Sequence, residues 1–318
     1  MSVYTSVDRD TLADWLQPLA VGAYVDHAGI SAGMQNSNYF VETSAGRWVL
    51  TLFEHLPAGE VATYLQLMQC LAERGIPCPR PCPDSAGELL RPLAGKPAAL
   101  FTRLPGHDLD TPDTVACRRI GQTLARLHLA AADLVDFPAN PCGAAWRQRV
   151  GEELLPLLPV AERELLADEL LFQQKQAWTV EVGRGLPAGV IHGDLFRDNV
   201  LWDGPEQIGG LLDFYFAGVD AWLYDLAIVV NDWCPDTERE RALLAAYAAE
   251  RPFTDCERRH WLAVRRAAAL RFWLLRLDAW HRPRPGKDVL RKDPLHFGRM
   301  LQALRQQSPW PESLSFPS

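Results

Sequence analysis

The sequence has no lysine before Lys96 and, with a net charge of −8, no excess of basic residues. The charge excludes the basic face that nucleic-acid binding requires. No apolar run is long enough to span a membrane, and the first residues, MSVYTSVDRDTLADWL, lack the basic and apolar segments of a secretory signal. Seven cysteines are an odd number for a disulfide framework and favour a reducing compartment. We therefore expect a cytoplasmic protein with neither a nucleic-acid nor a membrane partner.

Two neighbouring stretches carry most of the chemistry: VIHGDLFRDNVL at residues 190–201 and GGLLDF at residues 209–214. Asp194 and Asn199 lie between apolar flanks, and Asp213 ends an apolar run that is typical of a strand. This spacing fits the catalytic loop of kinases, in which an H-x-D sequence is followed by an Asn and by a separate metal-binding Asp. The alternative is an acidic surface turn before a core strand. The complete set, with each polar group at the end of an apolar segment, favours the kinase interpretation.

Phosphoryl transfer explains why these residue types occur together. Asp194 can orient an attacking hydroxyl and accept its proton, so we predict that it is the catalytic base. Asn199 and Asp213 offer oxygen ligands, which Mg²⁺ prefers in the presence of ATP phosphates. His192 fits better as a residue that braces the loop than as one that does chemistry.

The composition of the chain changes at Leu104-Pro105-Gly106. Before this point the patterns predict helices over residues 8–19 and 59–74, a hairpin of residues 39–42 and 47–53, and strands at 89–92 and 98–104. After it they predict helices over residues 115–128, 146–158, 161–178, 222–233, 237–250, 260–281 and 294–307. We therefore predict an α+β protein with an antiparallel sheet in an N-terminal nucleotide-binding lobe, residues 1–104. A larger, mainly helical C-terminal lobe, residues 105–318, would carry catalysis and acceptor binding.

A polar loop with Gly33, Ser37 and Asn38 leads into the predicted hairpin. Backbone N–H groups in such a loop can approach phosphate oxygens. The glycine spacing is not G-x-G-x-x-G, and the entry to an ordinary hairpin would explain it equally well. We expect adenine to lie near the strand that leads out of the first lobe, at Phe101, Arg103 and Leu104.

Taken together, these residues resemble the aminoglycoside phosphotransferase and choline kinase branch of the kinase fold. Within it the chain is most similar to bacterial homoserine kinases of the non-GHMP type. The matching pieces include GISAGMQNSNYFVET, FTRLPG, VIHGDLFRDNVLW, DLAIVVNDW and AAALRFWLLRL, and they run from about residue 29 to residue 277. The resemblance implies a bilobal protein-kinase-like fold, ATP with Mg²⁺, and transfer of the γ-phosphoryl group to the hydroxyl of L-homoserine in threonine biosynthesis.

Two features qualify the resemblance. The family has a lysine on the third strand, where this chain has Thr51, so Arg47 and the backbone of the glycine loop are the available substitutes. The segment between Asp213 and Asp225 is too short for the activation segment of a protein kinase. We therefore expect a small-molecule acceptor, with Asp225 as a buried residue that holds the catalytic loop in place.

Homoserine is zwitterionic, so its site needs a cation for the carboxylate and an oxygen partner for the ammonium group. Of Arg271 and Arg276, the sequence favours Arg271 as the bidentate carboxylate ligand. Asn231 and Asp232 are the candidates for the ammonium group, with Tyr215 and Trp233 as walls of the pocket. Trp residues on apolar helices are more often core, and Arg residues more often lie on solvated faces. The same fold also leaves open choline or ethanolamine phosphorylation, aminoglycoside phosphorylation, and a nucleotide-binding relative without catalysis. The oligomeric state cannot be deduced from the sequence.

Overall fold

The chain folds into two compact units. A computed structural model describes residues 3–31, 36–176, 185–283, 293–307 and 310. The first unit comprises Met1–Gly106 with Gly209–Tyr215, and the second comprises His107–Ile208 with Phe216–Ser318. Within the described residues, no helix combines the length and apolar character needed to cross a membrane.

A five-stranded antiparallel sheet forms the first unit, together with two helices. In chain order the elements are α1 (Arg9–Leu16), β1 (Tyr24–Gly29), β2 (Ser37–Thr43), β3 (Gly46–Leu52), α2 (Ala58–Glu73), β4 (Arg91–Leu93) and β5 (Lys96–Thr102). The strand order is β1-β2-β3-β5-β4. The antiparallel sheet in the N-terminal part of the chain confirms the sequence prediction.

The two faces of this sheet have different partners, because side chains alternate along each strand. One face packs against α1 in a core that contains Leu12, Trp15, Leu16, Tyr39, Val41, Leu50, Leu52, Ala98 and Leu100. By alternation, the other face carries Asn38, Thr51 and Phe101. Of the nucleotide-binding residues predicted on these strands, Asn38, Arg47, Thr51 and Phe101 lie on the face opposite α1, whereas Ser37 lies on the α1 face.

The predicted hairpin is confirmed, with Thr43 paired to Gly46 beside its turn. β1 was not predicted because most of its residues are exposed and give no alternating apolar pattern. The last two strands are displaced from their predicted positions, since the chain turns at Ala94 and Gly95, which both have positive φ. Ala94 is an uncommon residue for that conformation, so the sequence gives no sign of the turn.

Helices dominate the second unit. Its elements are α3 (Thr114–Ala130), α4 (Ala144–Leu154), α5 (Val160–Lys175), β6 (Ala188–Ile191), β7 (Val200–Trp202), β9 (Gly218–Ala221), α6 (Trp222–Trp233), α7 (Thr237–Glu250), α8 (Asp255–His281) and α9 (His296–Leu304). The remaining strand, β8 (Ile208–Leu211), lies between β7 and β9 in sequence and leads into the first unit. β6 and β9 pair as antiparallel strands. The mixture of helices and strands confirms the predicted α+β class.

Local sequence explains the packing of the long helices. α3 and α7 pack closely at Gly121, where a Cβ atom would collide with the carbonyl oxygen of Leu243. α6 is buried on nearly all sides, as its continuous apolar sequence predicts. α8 begins five residues before the predicted start, because Thr254 and Glu257 form a capping box ahead of it.

Candidate active site

The loop that follows β6 depends on a glycine. Gly193 has a φ of +78°, and a Cβ atom there would lie 2.6 Å from the carbonyl oxygen of Phe216. A side chain is therefore excluded by both conformation and space. The sharp turn brings Asp194 to a partly exposed position while His192 and Gly193 stay buried.

Asp225 fixes the turn by binding its backbone N–H groups. Its Oδ2 atom accepts a hydrogen bond from the backbone N–H of His192, and its Oδ1 atom accepts one from Gly193, both at 2.8 Å. Asp225 is fully buried on α6. A carboxylate that accepts two backbone N–H groups fixes the path of the chain immediately before Asp194.

A chain of hydrogen bonds continues from Asp225 through α3 to α7. A carboxylate can only accept, so His128 donates from Nε2 to Asp225 at 3.0 Å and accepts from the hydroxyl of Tyr247 at Nδ1, at 2.8 Å. Arg251 in turn donates to the Tyr247 oxygen at 3.0 Å. Every donor in this series of hydrogen bonds has an acceptor, so His128 is a neutral core histidine with both ring nitrogens bonded.

The ionisation of this buried pair follows from the same contacts. Burial lowers the pKa of His128 below its usual value, although Asp225 acts in the opposite direction. Burial alone would raise the pKa of Asp225, but the hydrogen bonds from His128 and from the Gly193 N–H outweigh it and hold the pKa below its usual value. The pair is therefore ionised Asp225 beside neutral His128.

Asn199 closes the loop on itself. Its Nδ2 atom donates to the carbonyl oxygen of Asp194 at 2.8 Å and lies 3.4 Å from Oδ2 of the same residue. A carbonyl oxygen can only accept, so the amide nitrogen must face Asp194 and the amide oxygen faces away. The N–H of Asp194 also donates to Nδ1 of His192 at 3.2 Å.

Two of the predicted acceptor residues contact the backbone of this loop. Arg271 donates from Nη1 to the carbonyl oxygen of Gly193, and Trp233 donates from Nε1 to the carbonyl oxygen of Leu195 at 3.1 Å. Both side chains are fully buried. The remaining Nε and Nη2 atoms of Arg271 have no hydrogen-bond partner among the described residues.

The other two predicted acceptor residues on α6 also have protein partners. Asp232 accepts from the backbone N–H of Arg197 at 2.9 Å and from its Nε atom at 3.1 Å. The side-chain amide of Asn231 donates to the backbone oxygen of Arg265 and accepts from the Nε atom of Arg265, both at 3.0 Å. Asp232 keeps 18% of its side chain exposed.

Asp213 and Tyr215 belong to the first unit. Asp213 has a φ of +60°, a conformation that only Asp213 and Ala94 adopt among the described residues other than glycine. Residues held in this region cost energy and occur preferentially at functional sites. Tyr215 lies edge-on to Phe53 and Tyr64, and burial together with the charge of Asp213 raises the pKa of its hydroxyl.

On the sheet face opposite α1, Thr51 occupies the position where the resemblance implied a lysine. Its hydroxyl donates to Oδ1 of Asn38 at 2.7 Å, and Thr51 itself is buried. Lys96 cannot stand in for the missing lysine, because the strand register places it on the opposite face. There its Nζ atom binds Glu54 at 3.1 Å, and Glu54 also accepts from Ser37 at 2.6 Å.

The remaining predicted nucleotide residues lie on or near the same sheet. Arg47 is 69% exposed and lies 3.8 Å from Glu42. The guanidinium of Arg103 lies 4.1 Å from the centre of the Phe40 ring. Phe101 is buried in β5. Leu104 fills the space above Gly210, and Gly33 lies outside the described residues.

The donor chemistry at Asn199 and Asp213 is suited to a hard cation. The amide oxygen of Asn199 faces away from Asp194, and the side chain of Asp213 is partly exposed. Neutral and charged oxygens are the ligands that Mg²⁺ takes when phosphates complete its shell. Among the described residues, no group of three or more His, Cys, Asp or Glu side chains is arranged to hold a metal ion alone.

Sequence reasoning missed the residues behind the loop. Tyr247 and Arg251 gave no signal, since neither belongs to a recognisable motif in α7 or at its C-terminal cap. The contact of Arg197 with Asp232 joins two residues that are 35 positions apart. The one sign of this contact in the sequence is that the loop carries a basic residue and α6 carries an acidic one.

Comparison with known proteins identifies the family. The profile of the phosphotransferase enzyme family matches residues 26–262. The homoserine kinase of Ralstonia nicotianae is 44% identical, over 95% of this chain and 95% of its own, and that of Methylobacillus flagellatus is 45% identical, over 96% and 97%. Among solved structures, an amicoumacin kinase bound to AMP-PNP and Ca²⁺ shares the fold, with a TM-score of 0.66, 16% identity and coverage of 94% of this chain and 92% of its own. The chain belongs to the phosphotransferase enzyme family.

Proposed function

We propose that this protein is an ATP-dependent homoserine kinase, which transfers the γ-phosphoryl group of ATP to the hydroxyl of L-homoserine. The observation that carries the proposal is the 44% identity with a homoserine kinase over 95% of both chains. The organisation of the loop from His192 to Asn199 supports a catalytic role. The reaction places the enzyme in threonine biosynthesis.

The base in this reaction is Asp194. Its carboxylate orients the hydroxyl of homoserine and takes the proton as the hydroxyl oxygen bonds to the γ-phosphorus. The bond from that phosphorus to the oxygen bridging the β-phosphate breaks, and ADP leaves. Phosphoryl transfer depends mainly on aligning the acceptor hydroxyl with the γ-phosphate. The hydrogen bonds from Asp225, Arg271 and Trp233 to the loop backbone therefore contribute to catalysis by holding Asp194 in position.

Asn199 and Asp213 are the proposed Mg²⁺ ligands. When bound with ATP, Mg²⁺ neutralises charge on the phosphates. The amide nitrogen of Asn199, bonded to the Asp194 carbonyl, keeps the amide oxygen turned outward. Asp213 has a left-handed backbone, an uncommon conformation that occurs preferentially at functional sites.

The nucleotide assignments rest on the sheet face opposite α1 and its surroundings. We propose that Gly33, Ser37, Asn38, Arg47, Thr51, Phe101, Arg103 and Leu104 form the nucleotide side of the site. Arg47 and Arg103 are the cations available there in place of the family lysine. Ser37 is fully buried and bonded to Glu54, so it would act by shaping the end of the glycine loop.

Choline, ethanolamine and aminoglycosides are the competing acceptors, and a non-catalytic nucleotide-binding relative is the competing role. A cytoplasmic location is proposed because all seven cysteines are free thiols.

The test is ADP release from the purified protein with ATP, Mg²⁺ and one acceptor at a time: L-homoserine, choline, ethanolamine or kanamycin. We expect release above the no-acceptor control with homoserine alone, and phosphorus NMR should show a phosphate monoester of homoserine. Release with homoserine no greater than in the control would exclude the proposal. Replacing Mg²⁺ with EDTA should abolish the signal.

A further inference from the structure

The acceptor carboxylate needs a cation that a solute can reach. Arg271, which the sequence favours for this role, is fully buried and bonded to the Gly193 carbonyl. Arg276 lies five positions further along α8 and is partly exposed. Its one hydrogen bond to a described residue is from Nη1 to the carbonyl oxygen of Asp293, at 2.9 Å. Its other donors bond to no residue in the part of the chain that the structure describes.

An aromatic cluster joins Arg276 to the catalytic loop. The ring of Phe196, two residues after Asp194, lies 4.4 Å from that of Phe272 on α8, and Phe272 lies 5.3 Å from Phe297 on α9. The guanidinium of Arg276 lies 4.4 Å from the centre of the Phe297 ring. The cluster of Phe196, Phe272 and Phe297 thus links Arg276 to the loop through ring contacts.

Asp232 carries a negative charge beside the loop, opposite in sign to that of Arg276. It binds Arg197, the residue that follows Phe196 in the loop. Burial lowers the pKa of Arg276, whereas the charges of Asp293 and Asp232 act in the opposite direction. The two side chains form no ion pair, which means that their charged atoms are more than 4.0 Å apart.

We propose that Arg276 and Asp232 bind the two charges of the acceptor's amino-acid head group, beside the phenylalanine cluster. Arg276 takes the α-carboxylate and Asp232 takes the α-ammonium group, while two methylene groups carry the hydroxyl toward Asp194. This inference rests on the proposed function and moves the carboxylate ligand from Arg271 to Arg276. Arg271 is then a positioning residue that acts through Gly193.

Two truncated forms of homoserine test the two subsites separately. 3-Aminopropan-1-ol lacks the carboxylate, and 4-hydroxybutanoate lacks the ammonium group. We expect Arg276→Met to raise the KM for homoserine and 4-hydroxybutanoate about 10- to 100-fold, the effect of losing a charge-assisted pair. The KM for 3-aminopropan-1-ol and for ATP should not change. Arg276→Lys keeps the charge without the fork and should give an intermediate rise.

Matched variants separate this role from a structural one. Arg282→Met removes the same side chain at the end of the same helix, where it pairs with Glu153 and Asp278, and should leave every KM unchanged. Arg271→Met should lower kcat with all three acceptors. Asp232→Asn should raise the KM for homoserine and 3-aminopropan-1-ol but not for 4-hydroxybutanoate.

The results separate this inference from the proposed function. Wild-type protein that does not phosphorylate homoserine overturns both. Active wild-type protein whose Arg276→Met variant keeps its KM for homoserine overturns the subsite alone. So does a KM that rises equally for 3-aminopropan-1-ol, because that would show a general distortion of the site.

Discussion

The proposed catalytic loop of the second unit, residues 192–199, and the sheet face opposite α1 in the first unit are held in different ways. Asp225, Arg271 and Trp233, from α6 and α8, bind the loop backbone at His192, Gly193 and Leu195. On the sheet face, Thr51 and Asn38 bind each other, and the nearest lysine in sequence is tied to Glu54 on the other face. The loop is thus fixed by buried side chains, two of them charged, whereas the sheet face is held by a bond between two neutral groups. The comparison indicates that the geometry of the proposed base is more tightly specified than that of the proposed phosphate contacts.

The sharpest way to test the loop side of this comparison is Asp194→Asn. The amide cannot take a proton from the acceptor, while the clamped backbone stays in place. We expect kcat to fall about 100- to 10,000-fold and the Kd for ATP to stay unchanged, measured by steady-state kinetics and calorimetry. Near-normal turnover would remove Asp194 from the role of base.

Thr51→Val tests the sheet side. Valine keeps the shape of threonine but leaves the Oδ1 atom of the half-buried Asn38 without its donor. We expect a loss of about 1–3 kcal/mol in the free energy of unfolding, together with a higher KM for ATP and little change in kcat.

The control for this variant is Thr63→Val on α2, where the hydroxyl binds the Gly59 carbonyl at an exposed site. It should change stability by no more than about 0.5 kcal/mol. Equal losses in the two valine variants, measured by urea denaturation, would argue against a special role for the Thr51–Asn38 pair.

The smallest expected effect is a pH dependence that His128 gives to stability. Because burial holds the pKa of His128 below its usual value, the unfolded chain binds a proton below about pH 6.5 that the folded chain does not. This contribution to stability is present above that pH and is lost as the pH falls, by up to about 1.4 kcal/mol per pH unit. In His128→Asn it is absent.

Urea denaturation at pH 7.5, 6.5 and 5.5 measures this difference. The stability advantage of the wild type over His128→Asn should shrink as the pH falls. Parallel curves for the two proteins would show that His128 does not titrate on unfolding.

The sequence predicted elements well where the pattern was strong and local. α6 and α7 have the predicted bounds, because a continuous apolar run and a capped amphipathic segment are distinctive. The start of α8 was missed although the Thr254–Glu257 capping box was legible in the sequence. The return of Gly209–Tyr215 to the first unit could not be seen, since it depends on contacts such as that of the Leu211 N–H with the Pro77 carbonyl.

For the candidate site, the sequence located the loop but not the surroundings of its side chains. The spacing of Asp194 and Asn199 was sufficient to predict a shared loop. Choosing between Arg271 and Arg276 was beyond it, because α8 carries apolar residues around most of its circumference and its pattern does not show which arginine is buried. That distinction depends on the packing of α8 against α6 and α9.

The left-handed backbone at Asp213 has a consequence for the evolution of this chain. A non-glycine residue in that conformation costs of order 1–3 kcal/mol, so glycine at position 213 would favour folding while deleting the carboxylate. Selection for thermal tolerance alone would therefore tend to erase this side chain. The proposed metal-binding role of Asp213 would account for keeping this side chain at a cost in stability, and variants designed for stability should leave it untouched.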